Sequence, residues 1–273
     1  MNLYLFHADP NALYGYERAD AVPIAAWTKI KNTYHGNGWD IPEVLSNTVM
    51  KDPGLAVLYS RTYLDGTWPE AEHIIATDAR AAWDYKYMRP TSGPLERWIE
   101  AEPAIMKDPY VAAHYAMVVL KRRWPEAEPY IMTDAWNITG YASKVIKGRW
   151  LEAEPYILKS GSSFVVEYAT SVIKHRWPEG EKAILAKGDE PGNSASYAAC
   201  RYASTLINGR WPEAEDIIKQ SPAASVHYVT SNIQRPVQPD GEWDRIMKKA
   251  KDDYWIYEKW LSDWRARQSR DNE

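Results

Sequence analysis

The sequence predicts an all-α protein, an α-solenoid of about eight short helical hairpins with capping segments, and three observations predict it. The string Arg-Trp-Pro-Glu-Ala-Glu occurs at residues 123–128 and 210–215, with near copies starting at Thr67, Arg97, Arg149 and Arg176. The repeated tryptophans, Trp68, Trp98, Trp124, Trp150, Trp177 and Trp211, are spaced by 30, 26, 26, 27 and 34 residues. A second register mark is a tyrosine, at Tyr59, Tyr85, Tyr115, Tyr141, Tyr168, Tyr202, Tyr228 and Tyr257. Self-similarity at a fixed short period is the signature of a repeat architecture, and here the period is about 26 with insertions.

In chain order, residues 1–38 read as an N-terminal cap or half repeat, opened by Ala8-Asp-Pro. Residues 39–234 hold the hairpins, and 235–273 a linker and a C-terminal capping helix with Trp255, Trp260 and Trp264, the alternative being an exposed aromatic helix that binds a partner. The two periodic series place three insertions: at Arg89-Pro-Thr-Ser-Gly-Pro, at Gly188-Asp-Glu-Pro-Gly-Asn and after Tyr228. The first two read as loops from their Gly and Pro content.

Within one unit, proline follows the tryptophan and suits the first position of a helix, where its missing N–H costs nothing. The glutamates that follow, such as Glu126 with Glu128 and Glu213 with Glu215, suit the positive end of the helix dipole. This first helix is about two turns long. Asp52, Asp78, Asp108, Asp134 and Ser221 then stand as N-caps of a second, three-turn helix. Its apolar stripe in one unit is Val111, Ala112, Tyr115, Ala116, Val119 and Leu120, the spacing of an amphipathic helix. Gly148 and Gly209 read as C-terminal stops. Helices this short are marginal alone and need a neighbour to bury their faces. The tryptophans and tyrosines are therefore expected inside, with Tyr141→Phe costing about one hydrogen bond, ~1 kcal/mol.

The consensus Trp-Pro-Glu-Ala-Glu-Pro-x-Ile, Asp-Pro, Tyr-Ala, Val-Ile-Lys-Gly-Arg-Trp resembles tandem repeats in proteins of tailed bacteriophages and some large viruses. The match covers about residues 39–234 and is most specific at 123–131 and 145–157. The resemblance implies an all-α viral repeat protein acting in a host cell, and it implies no catalytic residue.

Composition narrows the function. The formal net charge is −4, which gives no general attraction to nucleic acid or anionic membrane. Aromatic usage is skewed to 14 Trp and 19 Tyr against 2 Phe, which points to niches where a ring is buried and its N–H or O–H finds a partner. Cys200 is the single cysteine, so no intrachain disulfide forms and a reducing, cytoplasmic setting fits. The N-terminus does not read as a signal peptide. No segment has the length of an apolar membrane span.

The expectation is a monomeric, non-enzymatic binding scaffold, with no catalytic residue, metal or cofactor and with a host or viral protein as its partner. Inhibition of a host factor or defence system is the biological form this takes. The histidines His7, His35, His73, His114, His175 and His227 lack metal-ligand spacing, and paired glutamates recur in nearly every unit whereas an active site is singular. The candidate partner-binding face is the set of positions that vary around each register tyrosine: Asp84, Tyr87, His114, Met117, Glu167, Thr170, Arg201, Ser204 and His227. These are expected on the exposed side of the second helices. Two other readings stay open: polyanion or nucleic-acid binding along a basic edge of Arg123, Arg149, Arg176 and Arg210, and sequestration of a small ligand among the repeat aromatics.

Overall fold

The structure, a computed structural model, describes residues 49–63, 67–87, 95–188 and 194–271. The N-terminal segment 1–38, residues 39–48, and the insertion loops at 89–94 and 189–193 lie outside the described residues, as do His7 and His35. Among the described residues every regular element is a helix.

The helices alternate between two classes. The odd-numbered ones are α1 (Pro53–Tyr63), α3 (Ala79–Tyr87), α5 (Pro109–Tyr115), α7 (Ala135–Tyr141), α9 (Ser162–Tyr168), α11 (Ser194–Tyr202), α13 (Pro222–Tyr228) and α15 (Tyr254–Asp271). The even-numbered ones are α2 (Glu72–Ile75), α4 (Glu102–Ile105), α6 (Glu128–Ile131), α8 (Glu154–Lys159), α10 (Pro178–Ala186), α12 (Glu215–Ile218) and α14 (Glu242–Met247). Each odd helix packs on the next from α1 to α15, so successive hairpins are in contact in chain order.

The caps are those the sequence indicates. Asp108 is extended at φ −96°, ψ 113°, and its carboxylate accepts from the amides of Tyr110 and Val111. Asp134 accepts from Asn137 N and Ser221 from Ala224 N. The C-terminal stops differ from the expectation. From α5 to α9, and again in α11 and α13, the helix widens after its tyrosine into a five-residue π turn, as in Ala116–Leu120 and Ala142–Ile146. The left-handed residue that ends this turn is not the glycine but the residue before it: Lys147 (φ 61°) and Asn208 (φ 54°), matched by Lys121, Lys174 and Gln234. The wide turn lets the amides of both Lys147 and Gly148 reach Ala142 O, which shifts the reversal one residue forward.

The core repeats one polar clasp inside an apolar frame. In the central unit the hydroxyl of Tyr141 accepts from the backbone N–H of Trp124 (2.7 Å) and donates to Glu128 (2.9 Å). Arg123 closes on the same carboxylate through Nε and Nη2 at 2.8 and 2.7 Å. The same four-part arrangement joins Arg97, Trp98, Glu102 and Tyr115; Arg149, Trp150, Glu154 and Tyr168; Arg176, Trp177, Glu181 and Tyr202; and Arg210, Trp211, Glu215 and Tyr228. The tryptophan N–H lies just before the first helix, where no intrahelical carbonyl can take it, and the tyrosine supplies its acceptor. The glutamates were expected to answer the helix dipole. Only the first of each pair, such as Glu126, stays in solvent; the second is bound at the centre of the clasp.

The rings then link one hairpin to the next. Tyr115 packs on Trp124, Tyr141 on Trp150, Tyr168 on Trp177 and Tyr202 on Trp211, with centroids 5.1–5.6 Å apart. The clasp thus joins the two helices of a hairpin, while the ring pair joins successive hairpins. Since the hydroxyl holds two partners rather than one, Tyr141→Phe leaves a buried Trp124 N–H unpaired as well as loosening Glu128. The expected cost rises to about 2–4 kcal/mol, measured as a shift in the urea midpoint at unchanged slope.

The last hairpin keeps the amide-to-tyrosine bond of the clasp. Tyr257 O–H accepts from Val237 N (3.3 Å), so Val237 stands where a tryptophan stood in earlier units. Trp243, on α14, supplies the missing ring and stacks on Tyr228 at 5.6 Å and 28°. Met247, Ala250 and Tyr257 close over Val226 and Val229 of α13 and its π turn, with Trp260 and Leu261 packed alongside. The first half of α15 therefore covers the end of the row.

Candidate interaction surface

The outer side of the odd helices carries the positions that vary from unit to unit. They are less free than the sequence suggests. Tyr87 is buried, 8 % exposed, because its ring packs edge-on against Tyr115 and its hydroxyl donates to Glu96 O. Asp84, His114, Met117, Glu167, Thr170 and Ser204 are half-buried; Arg201 and His227 are exposed.

Several of them tie neighbouring helices together. Glu167 on α9 and Arg201 on α11 form an ion pair at 2.6 Å, and the hydrogen bonds from Ser171 and Arg201 hold the Glu167 carboxyl below the usual carboxylate range despite its partial burial. Ser204 donates to Asn232 Oδ1 and Cys200 O, and Arg61 donates to Asp84 O. His114 lies between Tyr110 and Trp83, at centroid distances of 4.1 and 6.2 Å. Thr170 turns its hydroxyl onto Val166 O. These residues form the floor of a surface.

What stands above that floor is a set of aromatics that the sequence analysis passed over. Five residues before the register tyrosine lie Tyr110, Trp136 and Tyr197, which are 47, 62 and 46 % exposed. Their burial differs sharply from that of the repeat tryptophans, although the residue type does not. On α9 the equivalent position is Ser163, whose hydroxyl bonds that of Ser194, and the next residue, Phe164, is 36 % exposed. The register offset from the tyrosine was the available signal.

At the other end of the same helices stand Lys121, Lys147 and Lys174, at the left-handed positions, with Lys144 one turn before Lys147. All four are exposed, and among the described residues none enters an ion pair. Gly140 and Ser143 lie between the two rows on α7. A β-carbon at Gly140 would meet Met117 Cε at 3.5 Å, an ordinary contact, so Met117 lies beside this position.

The basic edge is chemically different. Arg123, Arg149, Arg176 and Arg210 each hold the glutamate five residues on, and Glu181 is held below the usual range chiefly by the Arg176 hydrogen bond. Their positive charge is locally neutralised. Between the even helices of two successive units lies an open groove of about 540 Å³, lined in part by Ile99, Met106, Leu120 and Trp124. Cys200 is buried, and burial pushes its thiol up to about 11, so it is not a nucleophile at neutral pH. Among the described residues no group of His, Cys, Asp and Glu is arranged to hold a metal ion, and no helix is long and apolar enough to cross a membrane.

No family model, curated protein or solved structure matches the chain.

Proposed function

We propose that the chain is an α-solenoid of about eight hairpins that acts, without catalysis, as a binding scaffold for a protein partner, and that the outer side of the odd helices is the binding face. One observation carries this: Tyr110, Trp136 and Tyr197, rings that are 46–62 % exposed, recur at one repeat position of the odd helices, whereas the register tyrosines and repeat tryptophans of the same units are buried. Contiguous exposed apolar surface on an otherwise polar exterior marks interaction sites. Tyrosine and tryptophan give the most contact area for the least ordering entropy.

A polyanion on the arginine edge has weaker support, since each arginine must first leave a bidentate carboxylate. The resemblance to phage repeat proteins supports a viral protein that acts in the host cytoplasm on a host factor or a defence component. The lone buried Cys200 suits that reducing setting.

A photo-cross-linking residue placed at Trp136, and separately at Glu126 on the other layer, tests the face. Position 136 is expected to trap the partner in the native host cell and 126 to trap none. Cross-linking from 126 alone would move the site to the even helices.

A further inference from the structure

We infer that the occupant of this face is an amphipathic α-helix of about 20 residues with one apolar and one acidic flank, lying across α5, α7, α9 and α11. The inference rests on the reading that the odd helices are the binding face, and it adds the partner's chemistry.

The dimensions come first. From Trp136 to Lys147 is eleven residues, about 16 Å along the helix at 1.5 Å per residue. The aromatic row and the lysine row therefore run side by side with a gap floored by Gly140, Ser143, Met117 and Thr170. A helix with its side chains is about 10–12 Å across and fills such a gap, touching both margins. Four packed helices at about 8–10 Å spacing give a face roughly 24–30 Å long. That length is about 16–20 residues of α-helix.

The chemistry fixes the flanks. Tyr110, Trp136 and Tyr197 line one margin and accept apolar side chains, with Ser163 at the equivalent position of α9. Lys121, Lys144, Lys147 and Lys174 line the other, in a protein whose net charge is −4. The acidic residues on this face, Glu167 and Asp84, are already engaged with Arg201 and in the packing of α3. The lysine margin is thus an unanswered positive row, complementary to Glu and Asp on a partner. Three of these lysines also occupy left-handed backbone positions, which disfavour a non-glycine residue. The favourable interaction of a cation with the helix C-terminus offsets part of that.

The same distances argue against a single nucleic-acid strand. In a strand that stacks its bases on the aromatic row, each phosphate lies within one nucleotide of its base, well short of the lysines about 16 Å along the helix.

The test needs no knowledge of the natural partner. A displayed library of helical 20-residue peptides, randomised among Glu, Lys, Leu, Phe and Ser on both flanks, is selected against the full chain. A (dT)20 oligonucleotide is measured in parallel. The expected result is enrichment of Glu on one flank and Leu or Phe on the other, with affinity falling at least tenfold for Lys144→Glu/Lys147→Glu and for Trp136→Ala. Both variants change exposed side chains, and circular dichroism is expected to show the fold intact. Enriched flanks that are basic or unpatterned overturn the proposal, as does tight (dT)20 binding with the same sensitivity to both variants, which leaves the face in place with a different occupant. Acidic peptides that bind both variants as well as the parent overturn the occupant and the face together.

Discussion

Trp150→Ala is expected to lose about 3–5 kcal/mol of stability, the range for emptying a buried indole site. The ring is 1 % exposed and packs on Tyr141 at 5.1 Å, while its backbone N–H donates to Tyr168 at 2.8 Å. It therefore stands at the junction of the hairpins that carry α7 and α9. Hairpins of this length have little stability of their own, and a stacked row depends on nearest-neighbour interfaces. Loss of this interface is expected to split urea unfolding into two steps, one for each side of the cut. Trp136→Ala, a tryptophan of the same sequence segment, is expected to change stability by less than about 0.5 kcal/mol because its ring lies in solvent. Equal effects for the two would mean that the inside and outside of the row have been exchanged.

Raising the pH above 10 is expected to unfold the row cooperatively well before pH 12. Burial, followed by hydrogen bonding to or repulsion from the clasp glutamate, pushes Tyr168, Tyr202 and Tyr228 up to about 12, and Tyr115 and Tyr141 shift in the same direction. A tyrosinate at any of these sites would face a carboxylate across the bond its proton had made. In the unfolded chain tyrosine ionises near pH 10. The folded state therefore holds more protons between about 10 and 12, and stability falls as pH rises through that window. Below 10 these groups make no pH-dependent contribution. Each tyrosine that ionises only on unfolding steepens the loss by up to about 1.4 kcal/mol per pH unit, and several act together. Tyrosinate absorbance and loss of helical ellipticity should coincide. Tyrosinate appearing near pH 10 with the helices intact would show that the hydroxyls are not held in the clasp.

The helical class and the repeat frame were legible because each rests on local chemistry. Asp108, Asp134 and Ser221 cap their helices through bonds to amides two or three residues on, and such spacing can be read from a string. The clasp spans 13 and 17 residues, as in Tyr141 to Glu128 and to Trp124, and nothing local marks it. Glu126 and Glu128 are identical as letters; the turn between them points one outward and one at a hydroxyl. Gly148 is a strong stop signal, yet the π turn before it moved the reversal onto Lys147. Trp243 was invisible as a substitute for position 237 because it reaches Tyr228 from the next helix, outside the repeat register.

Exposure along the odd helices was less legible. Of the nine positions read as an exposed face, Arg201 and His227 are exposed, Tyr87 is buried and the rest are half-buried, so variation alone does not separate a floor from a free face. Glu167 and Arg201 pair with each other across successive units. A single charge reversal at either is therefore not neutral, although the loss stays near the 0–1 kcal/mol of an exposed pair. Reversal at both restores the pair.

The central claim is that each hairpin is closed by a tyrosine hydroxyl accepting the tryptophan amide. Hydrogen exchange at the backbone amides of Trp98, Trp124, Trp150, Trp177 and Trp211, resolved by NMR, tests it most directly. These amides make no helical hydrogen bond, yet they are expected to exchange as slowly as the buried interiors of α7 and α9, and to become fast one at a time when the partner tyrosine is changed to phenylalanine. Exchange at the rate of free loop amides in the unaltered protein would contradict the clasp.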